Sequence, residues 1–236
     1  MKVLSVDLAY RDYRDVGIAI LESTPTSIEV SFRLLQGSGR PTPSAVAEKI
    51  LRLAEDINAP VILMDGPQGW KSPDTPFPHS RICERVLNTP AKTGLPGQVK
   101  PANYGPFVSF SIEVFDALHD MGWPRYSGDL TRAPQTTVES FPLSAWRSLR
   151  VPALPSKQKA GNEDLSSRLD LLKRIFPLVL HAEPNHDELQ ALVSGLAGIP
   201  LLAGDMTRLQ IEGIAPFLLD GTMREGYIVN PKVPRG

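Results

Sequence analysis

Apolar positions in this chain come first in short extended runs and only later at helical spacing. Lys2 to Tyr10, KVLSVDLAY, is almost unbroken in its hydrophobicity until Asp7. Val3, Leu4 and Val6 favour extended backbone, and so short an uninterrupted run predicts a strand covered on both faces. A charged turn, Arg11 to Asp15, leads to a second run, Val16 to Leu21, a spacing that predicts an antiparallel hairpin. Beyond Thr26, Ile28, Val30 and Phe32 alternate with Glu29, Ser31 and Arg33. That alternation predicts a third strand with one wet face near a sheet edge, completing a β-meander.

Ser44 to Ile57 changes the period. Val46, Ile50, Leu53 and Ile57 fall on one stripe, with Glu48, Lys49, Arg52, Glu55 and Asp56 largely off it, so a helix is predicted. It feeds PVILMDGP, Pro60 to Pro67, a fourth strand with no polar residue before Asp65 and a stop at Gly66–Pro67. A helix between strands implies a crossover, so this strand should run parallel to an earlier one. From Gln68 onward Pro, Gly, Lys and Asn dominate. Ser80 to Leu87 reads as helical, Asn88 to Pro106 as a long loop, and about Ser109 to Met121 as a helix stopped by Gly122. Thr136 to Phe141 is a predicted fifth strand and Pro142 to Leu149 a short helix. Asn162 caps a helix with Leu165, Leu169, Leu172 and Phe176 on one stripe, and Asn185 caps another through about Ala197. The order βββαβαβα predicts an α/β fold of the ribonuclease H-like kind. Its mixed sheet is flanked by helices in a single domain over 1–236, with a loop- and helix-rich insertion at about 68–134 between the fourth and fifth strands.

Composition narrows the class. The 236 residues are long enough for one large α/β domain, and 25 Lys and Arg against 26 Asp and Glu give a net charge of −1. That balance excludes a strongly basic histone-type nucleic-acid binder and leaves room for an enzyme with a local basic groove. The one cysteine, Cys83, rules out an intramolecular disulfide or a cysteine-rich metal centre and points to a reducing compartment. With no signal-like N-terminus and no apolar run of about eighteen residues, a cytoplasmic protein without membrane contact is expected. The 23 prolines forecast many fixed loops.

The chemistry lies in the acids. Asp7 and Asp65 both end predicted buried strands, where an ionised carboxylate needs a hydrogen bond, a cation or a metal. If those strands are neighbours, the two carboxylates meet at one sheet edge, and a hard divalent cation, Mg²⁺ or Mn²⁺, relieves their repulsion. Glu139 lies in the fifth strand, Asp187 in the first turn of the late helix, with Gln190 and Ser194 following on its face. The plainer reading makes Asp7 and Asp65 turn caps, and Asp187 and Glu188 partners of a helix N-terminus. His186 can orient a carboxylate or simply cap its helix. Arg81 and Arg85, one helical turn apart around Glu84, and Lys157 and Lys159 in a loop, are the candidate phosphate contacts, with solvated surface cations as the plain alternative. Trp146, Leu143 and Leu149 sit at core spacing, and Cys83 has no catalytic partner nearby.

Several segments in order carry a family resemblance: Asp7, VILMDGP, RICER at Arg81 to Arg85, VESFP at Val138 to Pro142, the lysine loop followed by SSRLDLL, NHDELQALVSGLAG at Asn185 to Gly198, and the closing REGYIVNP. Together they resemble domain-of-unknown-function family 429, a group described as predicted nucleases with a ribonuclease H-like fold. The resemblance implies a metal-dependent nuclease-like site with Asp7, Asp65, Glu139 and Asp187 at its acidic positions. Holliday-junction resolvases of the same superfamily look similar at the late helix, where they carry acidic residues three apart; here the second such position is the neutral Gln190, with Glu188 as a possible substitute.

Three functions follow as expectations. The first is a phosphodiester hydrolase acting on nucleic acid or a small nucleotide. Asp7, Asp65 and Asp187 would hold one or two Mg²⁺ or Mn²⁺ ions, Glu139 would ligate metal or position water, and Arg81, Arg85, Lys157 and Lys159 would bind phosphates. The second is a non-catalytic binding or scaffold protein that keeps the fold. The third is an ATP-dependent phosphotransferase, disfavoured because the turn after the first strand, AYRDYRD, has no glycine before Gly17 to wrap a phosphate.

Overall fold

In the computed structural model, which describes residues 1–130 and 135–233, the meander forms first. β1 (Lys2–Asp7), β2 (Gly17–Ser23) and β3 (Ile28–Phe32) are successive antiparallel neighbours. α1 (Pro43–Asp56), opened by the Thr42 hydroxyl and a first-turn proline, crosses over to β4 (Val61–Asp65), which pairs parallel to β1. The insertion then supplies α2 (Ile82–Leu87), the short pair β5 (Lys92–Thr93) and β6 (Val99–Lys100), and α3 (Gly105–Asp120). β7 (Thr136–Ser140) returns parallel beside β4. The remainder is α4 (Pro142–Ser148), α5 (Asn162–Ile175), β8 (Leu178–Leu180), α6 (His186–Gly195), α7 (Gly198–Leu202), β9 (Leu209–Leu219) and β10 (Thr222–Pro231).

The main sheet runs β8-β3-β2-β1-β4-β7-β10-β9. Its antiparallel meander, followed by parallel β4 and β7 on the far side of β1, is the ribonuclease H-like arrangement expected from the element order. Both faces are covered, as the unbroken run of β1 requires. Leu4, Val6, Ile18, Ile20, Ile62 and Met64 pack under α1 and α3. On the other face Val3, Ala19, Leu21, Val61, Leu63 and Val138 pack against α4, α5 and α6, around the fully buried Trp146. No helix among the described residues is long and apolar enough to cross a membrane.

Several expectations need correction. The order does not end in a helix: β9 and β10 form a long hairpin that extends the sheet beyond β7. β3 does lie near the sheet edge as expected, with the unexpected three-residue β8 pairing parallel to it on its outer side. The stretch read as a loop over 88–106 contains the β5–β6 pair, and α3 begins at Gly105, with Pro106 in its first turn where a missing N–H costs nothing. Asn162 is the first helical residue of α5. The cap position is Gly161, whose N–H donates to the Asp164 carboxylate at 3.1 Å. The expected end of the insertion, at 131–134, lies outside the described residues.

Candidate functional site

Register brings the first two acids together. Val6 pairs with Met64 across parallel β1 and β4, so Asp7 and Asp65 leave adjacent strand ends side by side. Their carboxyls are within hydrogen-bonding reach. Burial, then the charges of Asp65 and Asp187, hold the Asp7 carboxyl well above the ordinary range. Burial and the neighbouring Glu139 push Asp65 up to about 7. Near neutral pH the pair therefore keeps a proton between its oxygens, because two carboxylates this close and this dry cannot both ionise without a cation.

α6 delivers the third acid. Asn185 caps the helix, its side-chain oxygen accepting from the N–H groups of Asp187 and Glu188, each at 3.0 Å. The Glu188 carboxylate reaches back to the Asn185 N–H at 2.8 Å, so Glu188 closes a capping box. Gly17, the register partner of Asp7, lets the helix approach: a Cβ built there would sit 2.1 Å from the Asp187 carbonyl oxygen. At the other end of α6, a Cβ on Gly195 would lie 2.6 Å from Leu21 and 2.8 Å from Ser5. The helix thus lies flush across β1 and β2, and Asp187 stands near enough to raise Asp7.

Asp187 already has counter-charges. Lys157 Nζ donates to its Oδ2, and also to Asp15 Oδ1 at 2.8 Å. His186 Nδ1 lies 3.1 Å from Asp187 Oδ1 and its Nε2 lies 2.9 Å from the Pro155 carbonyl oxygen. Both ring nitrogens face acceptors, an arrangement that favours the imidazolium. Burial opposes that charge, but the bonds to Asp187 and Pro155 prevail and raise the His186 pKa. Burial likewise works against the Asp187 charge, yet bonds from His186 and Lys157 leave its carboxyl below the ordinary range.

Glu139 sits in the wall beside Asp65 and is held by Arg81. The guanidinium grips both carboxylate oxygens, Nη1 at 2.7 Å and Nη2 at 2.6 Å, while the Gln68 N–H donates to Oε2 at 3.0 Å. The same guanidinium donates twice to Glu84 Oε1, each bond at 3.1 Å. Arg81 is 1% exposed, so it faces two carboxylates and not solvent. Arg85, sharing its helical face on spacing alone, is exposed and lies over the Phe77 ring at 5.9 Å. Lys159 is exposed on the loop before α5. Of the four cations expected at phosphates, Lys157 contacts Asp187 and Arg81 contacts Glu139, whereas Arg85 and Lys159 are exposed. Gln190, the neutral position on α6, accepts from Trp146 Nε1 at 2.7 Å and so ties α6 to α4.

Three groups in this region were not read from the sequence. Glu84 receives the Thr93 N–H at 2.9 Å, besides Arg81. Glu225, fully buried in a bulge of β10, accepts from the Ser72 N–H at 2.9 Å, Thr75 Oγ1 at 2.5 Å and the Ile82 N–H at 3.2 Å. Arg125 donates to the Gln68 carbonyl at 2.9 Å and to Asp116 at 2.5 Å. Glu84, through Arg81 and Glu139, and Glu225 fasten the stretch between β4 and β7 to the sheet, and Arg125 braces that stretch internally. Glu84 had a signal, its i+3 spacing from Arg81; Glu225 finds its partners 143 to 153 residues away, and Arg125 reaches back 57 residues to Gln68 although its ion-pair partner Asp116 is 9 away. Between the insertion and the sheet, beside Asp65, lies a cavity of ≈ 130 Å³ with mainly apolar walls.

The donor set fits a divalent cation in part. Asp7 and Asp65 offer oxygen ligands and an unmet need for positive charge, which suits an ion that keeps several waters. Among the described residues no group of three or more His, Cys, Asp or Glu side chains forms a ready-made metal cage. The third acid would have to be shared with Lys157.

No family model matches the chain, so the resemblance to family 429 has no support at that level. No curated protein matches it either. Among solved structures it is similar to Thermus thermophilus RuvC, at 12% identity and a TM-score of 0.43, over 87% of this chain and 98% of that one. T. thermophilus RuvC in complex with a Holliday junction substrate gives 11% identity and the same TM-score, over 87% and 97% of the two chains. Likeness at this level says nothing about activity.

Proposed function

We propose that this chain is a divalent-metal-dependent phosphodiester hydrolase acting on nucleic acid or a small nucleotide, with Mg²⁺ or Mn²⁺ held by Asp7 and Asp65. One observation carries the reading: two strand-end carboxylates face each other with pKa values raised by burial, Asp7 further by the charges of Asp65 and Asp187 and Asp65 further by that of Glu139. A fold does not keep such a pair ionised without a cation, and hard cations take carboxylate oxygen. A metal bound there supplies Lewis acidity to a phosphoryl oxygen and a nucleophilic water at neutral pH.

The chain's own groups divide the remaining work. Asp7 and Asp65 would hold the ion through their carboxylate oxygens in the ionised form. Asp187 completes the acidic edge from α6, and His186, both of whose nitrogens are engaged, fixes its orientation. Lys157, half exposed and shared between Asp15 and Asp187, is the cation placed to turn toward a phosphate. Glu139, held by Arg81, acts on Asp65 through its charge and leaves metal ligation to the two aspartates. Arg85 and Lys159, exposed away from these contacts, would add salt-dependent affinity for a longer strand.

Mn²⁺ binding by calorimetry on the wild type and on Asp7→Asn tests this, followed by incubation of both proteins with single-stranded, double-stranded and branched DNA and RNA. Saturable binding that Asp7→Asn abolishes, together with cleavage of one of these substrates, is the expected result. No binding at millimolar metal would sink the hydrolase. The reading would then pass to a non-catalytic binding protein, which one observation favours: Lys157 and His186 already neutralise Asp187 from within.

A further inference from the structure

The chain leaving β1 runs from Asp7 straight onto an aromatic surface. Tyr10 is partly exposed and packs against two rings of α3, Phe107 at a centroid distance of 6.4 Å and Phe110 at 6.5 Å. Phe107 also reaches the other strand end. A Cβ built on Gly66, next to Asp65, would lie 3.1 Å from the Phe107 ring, which lines the cavity beside Asp65. Aromatic surface thus continues from that cavity through Phe107 to Tyr10, where a groove opens between α3 and the segment before α1.

Two arginines gather on the same tyrosine. The Arg11 guanidinium lies over the ring at 5.3 Å, and its Nε donates to the Tyr10 hydroxyl at 3.0 Å. Arg40 comes from the segment before α1, lies at 5.7 Å from the ring centroid, and donates through Nε to the Tyr10 carbonyl at 3.4 Å. Both side chains are exposed. In each the protein engages Nε, and among the described residues the forked Nη groups have neither a hydrogen bond nor a carboxylate partner. The groove carries one acid, Glu113, and the nearby Asp12 is taken up by Arg14 at 2.6 Å. A solvated arginine needs no such anchoring. Two like charges held on one ring repel, and an anion with oxygens for both forks offsets that repulsion.

We propose that this surface is the track for an unpaired nucleic-acid strand whose scissile phosphate lies at Asp7 and Asp65. Bases stack on Tyr10 and Phe107, and Arg11 and Arg40 hold backbone phosphates beyond them. This rests on the hydrolase reading above and deepens it by naming single-stranded nucleic acid as the substrate. Ring faces are open only to bases outside a duplex, and they accept any base. The cations also straddle the pair. Lys157 meets the acid of α6 on one face of the sheet, whereas Tyr10 packs with α1 and α3 on the other. Phosphate contacts on both faces suit a strand of several nucleotides and not a mononucleotide.

Fluorescence anisotropy of the full chain, without metal, tests the track with labelled single strands of about twelve nucleotides and with the matching duplex. The proteins compared are wild type, Tyr10→Ala, Tyr10→Phe, Arg11→Gln, Arg40→Gln and Asp7→Asn. Single strands should bind more tightly than duplex. Tyr10→Ala should weaken them about tenfold, and Tyr10→Phe, which keeps the ring, should stay within about twofold of wild type. Each arginine variant should flatten the slope of log affinity against log salt by about 0.7. These two change exposed side chains and should keep the wild-type Tm, so they decide the matter even if Tyr10→Ala disturbs its packing. Absence of single-strand binding, equal binding of duplex, Tyr10→Phe failing as badly as Tyr10→Ala, or an unchanged salt slope in both arginine variants would each overturn the proposal. The two readings fail separately. Cleavage that ignores Tyr10, Arg11 and Arg40 removes the track alone. Single-strand binding that persists in Asp7→Asn, with no metal binding or cleavage by wild type, removes the hydrolase and leaves a strand-binding protein.

Discussion

Replacing Arg81 by Met tests whether that guanidinium is a wall of the fold or a ligand for phosphate. It makes four charge-assisted bonds, at 2.6 and 2.7 Å to Glu139 and twice at 3.1 Å to Glu84, and all three side chains are no more than 3% exposed. Met matches much of the volume and none of the charge, so both carboxylates are left buried without their cation. Breaking a buried pair from one side costs about 3–5 kcal/mol. At about 2–4 °C per kcal/mol for a chain of this size, Tm should fall by about 6–20 °C.

The pH dependence has a definite sign. Burial already holds the Glu139 pKa above its ordinary value although Arg81 lowers it, and loss of the guanidinium raises it further, so the variant's stability is retained at low pH and lost as pH rises through that raised value. The deficit measured by urea unfolding should therefore be smaller at pH 5 than at pH 8, and Arg81→Met/Glu139→Gln should recover part of it. A deficit below about 1 kcal/mol, within the range of exposed pairs, or one independent of pH, would refute the reasoning and return Arg81 to the phosphate-binding role its spacing suggested.

Gly17→Ala places a methyl 2.1 Å from the Asp187 carbonyl oxygen and should lower stability by about 1–3 kcal/mol, with Mn²⁺ binding weakened because α6 must move away from Asp7; unchanged urea midpoint and metal affinity would contradict that packing. The metal-free wild type should lose stability as pH rises from near 4 to beyond 7, since Asp7 and Asp65 have raised folded-state pKa values, and calorimetric scans of Asp65→Asn should show that part of the slope removed. Lys157→Met, at a side chain 51% exposed, should change stability by less than about 1 kcal/mol while tightening Mn²⁺ binding as Asp187 is freed; equal affinity in the two proteins would place Lys157 outside the site.

The sequence by itself determined the elements whose burial is periodic. The unbroken run of β1, the β2 hairpin, the stripe of α1 and the Asn185 cap are local patterns, and the meander followed by a crossover leaves few arrangements other than β1 beside β4. Adjacency of Asp7 and Asp65 follows from that register. The β9–β10 hairpin carried a local signal as well, since Asp220–Gly221 forms a two-residue turn with both φ values positive, 50° and 67°. β8 carried very little, at three residues. Only the tertiary structure decided the fate of the charges. Spacing put Arg81 and Arg85 on one face, yet one is sealed between Glu84 and Glu139 and the other is exposed over Phe77. Gln190 spends its polarity on Trp146, and Lys157 finds Asp15 across more than a hundred residues of chain. Hydrophobic burial is written into the chain as a period, whereas an ion pair depends on which distant residue arrives at a few ångströms, and no local period records that.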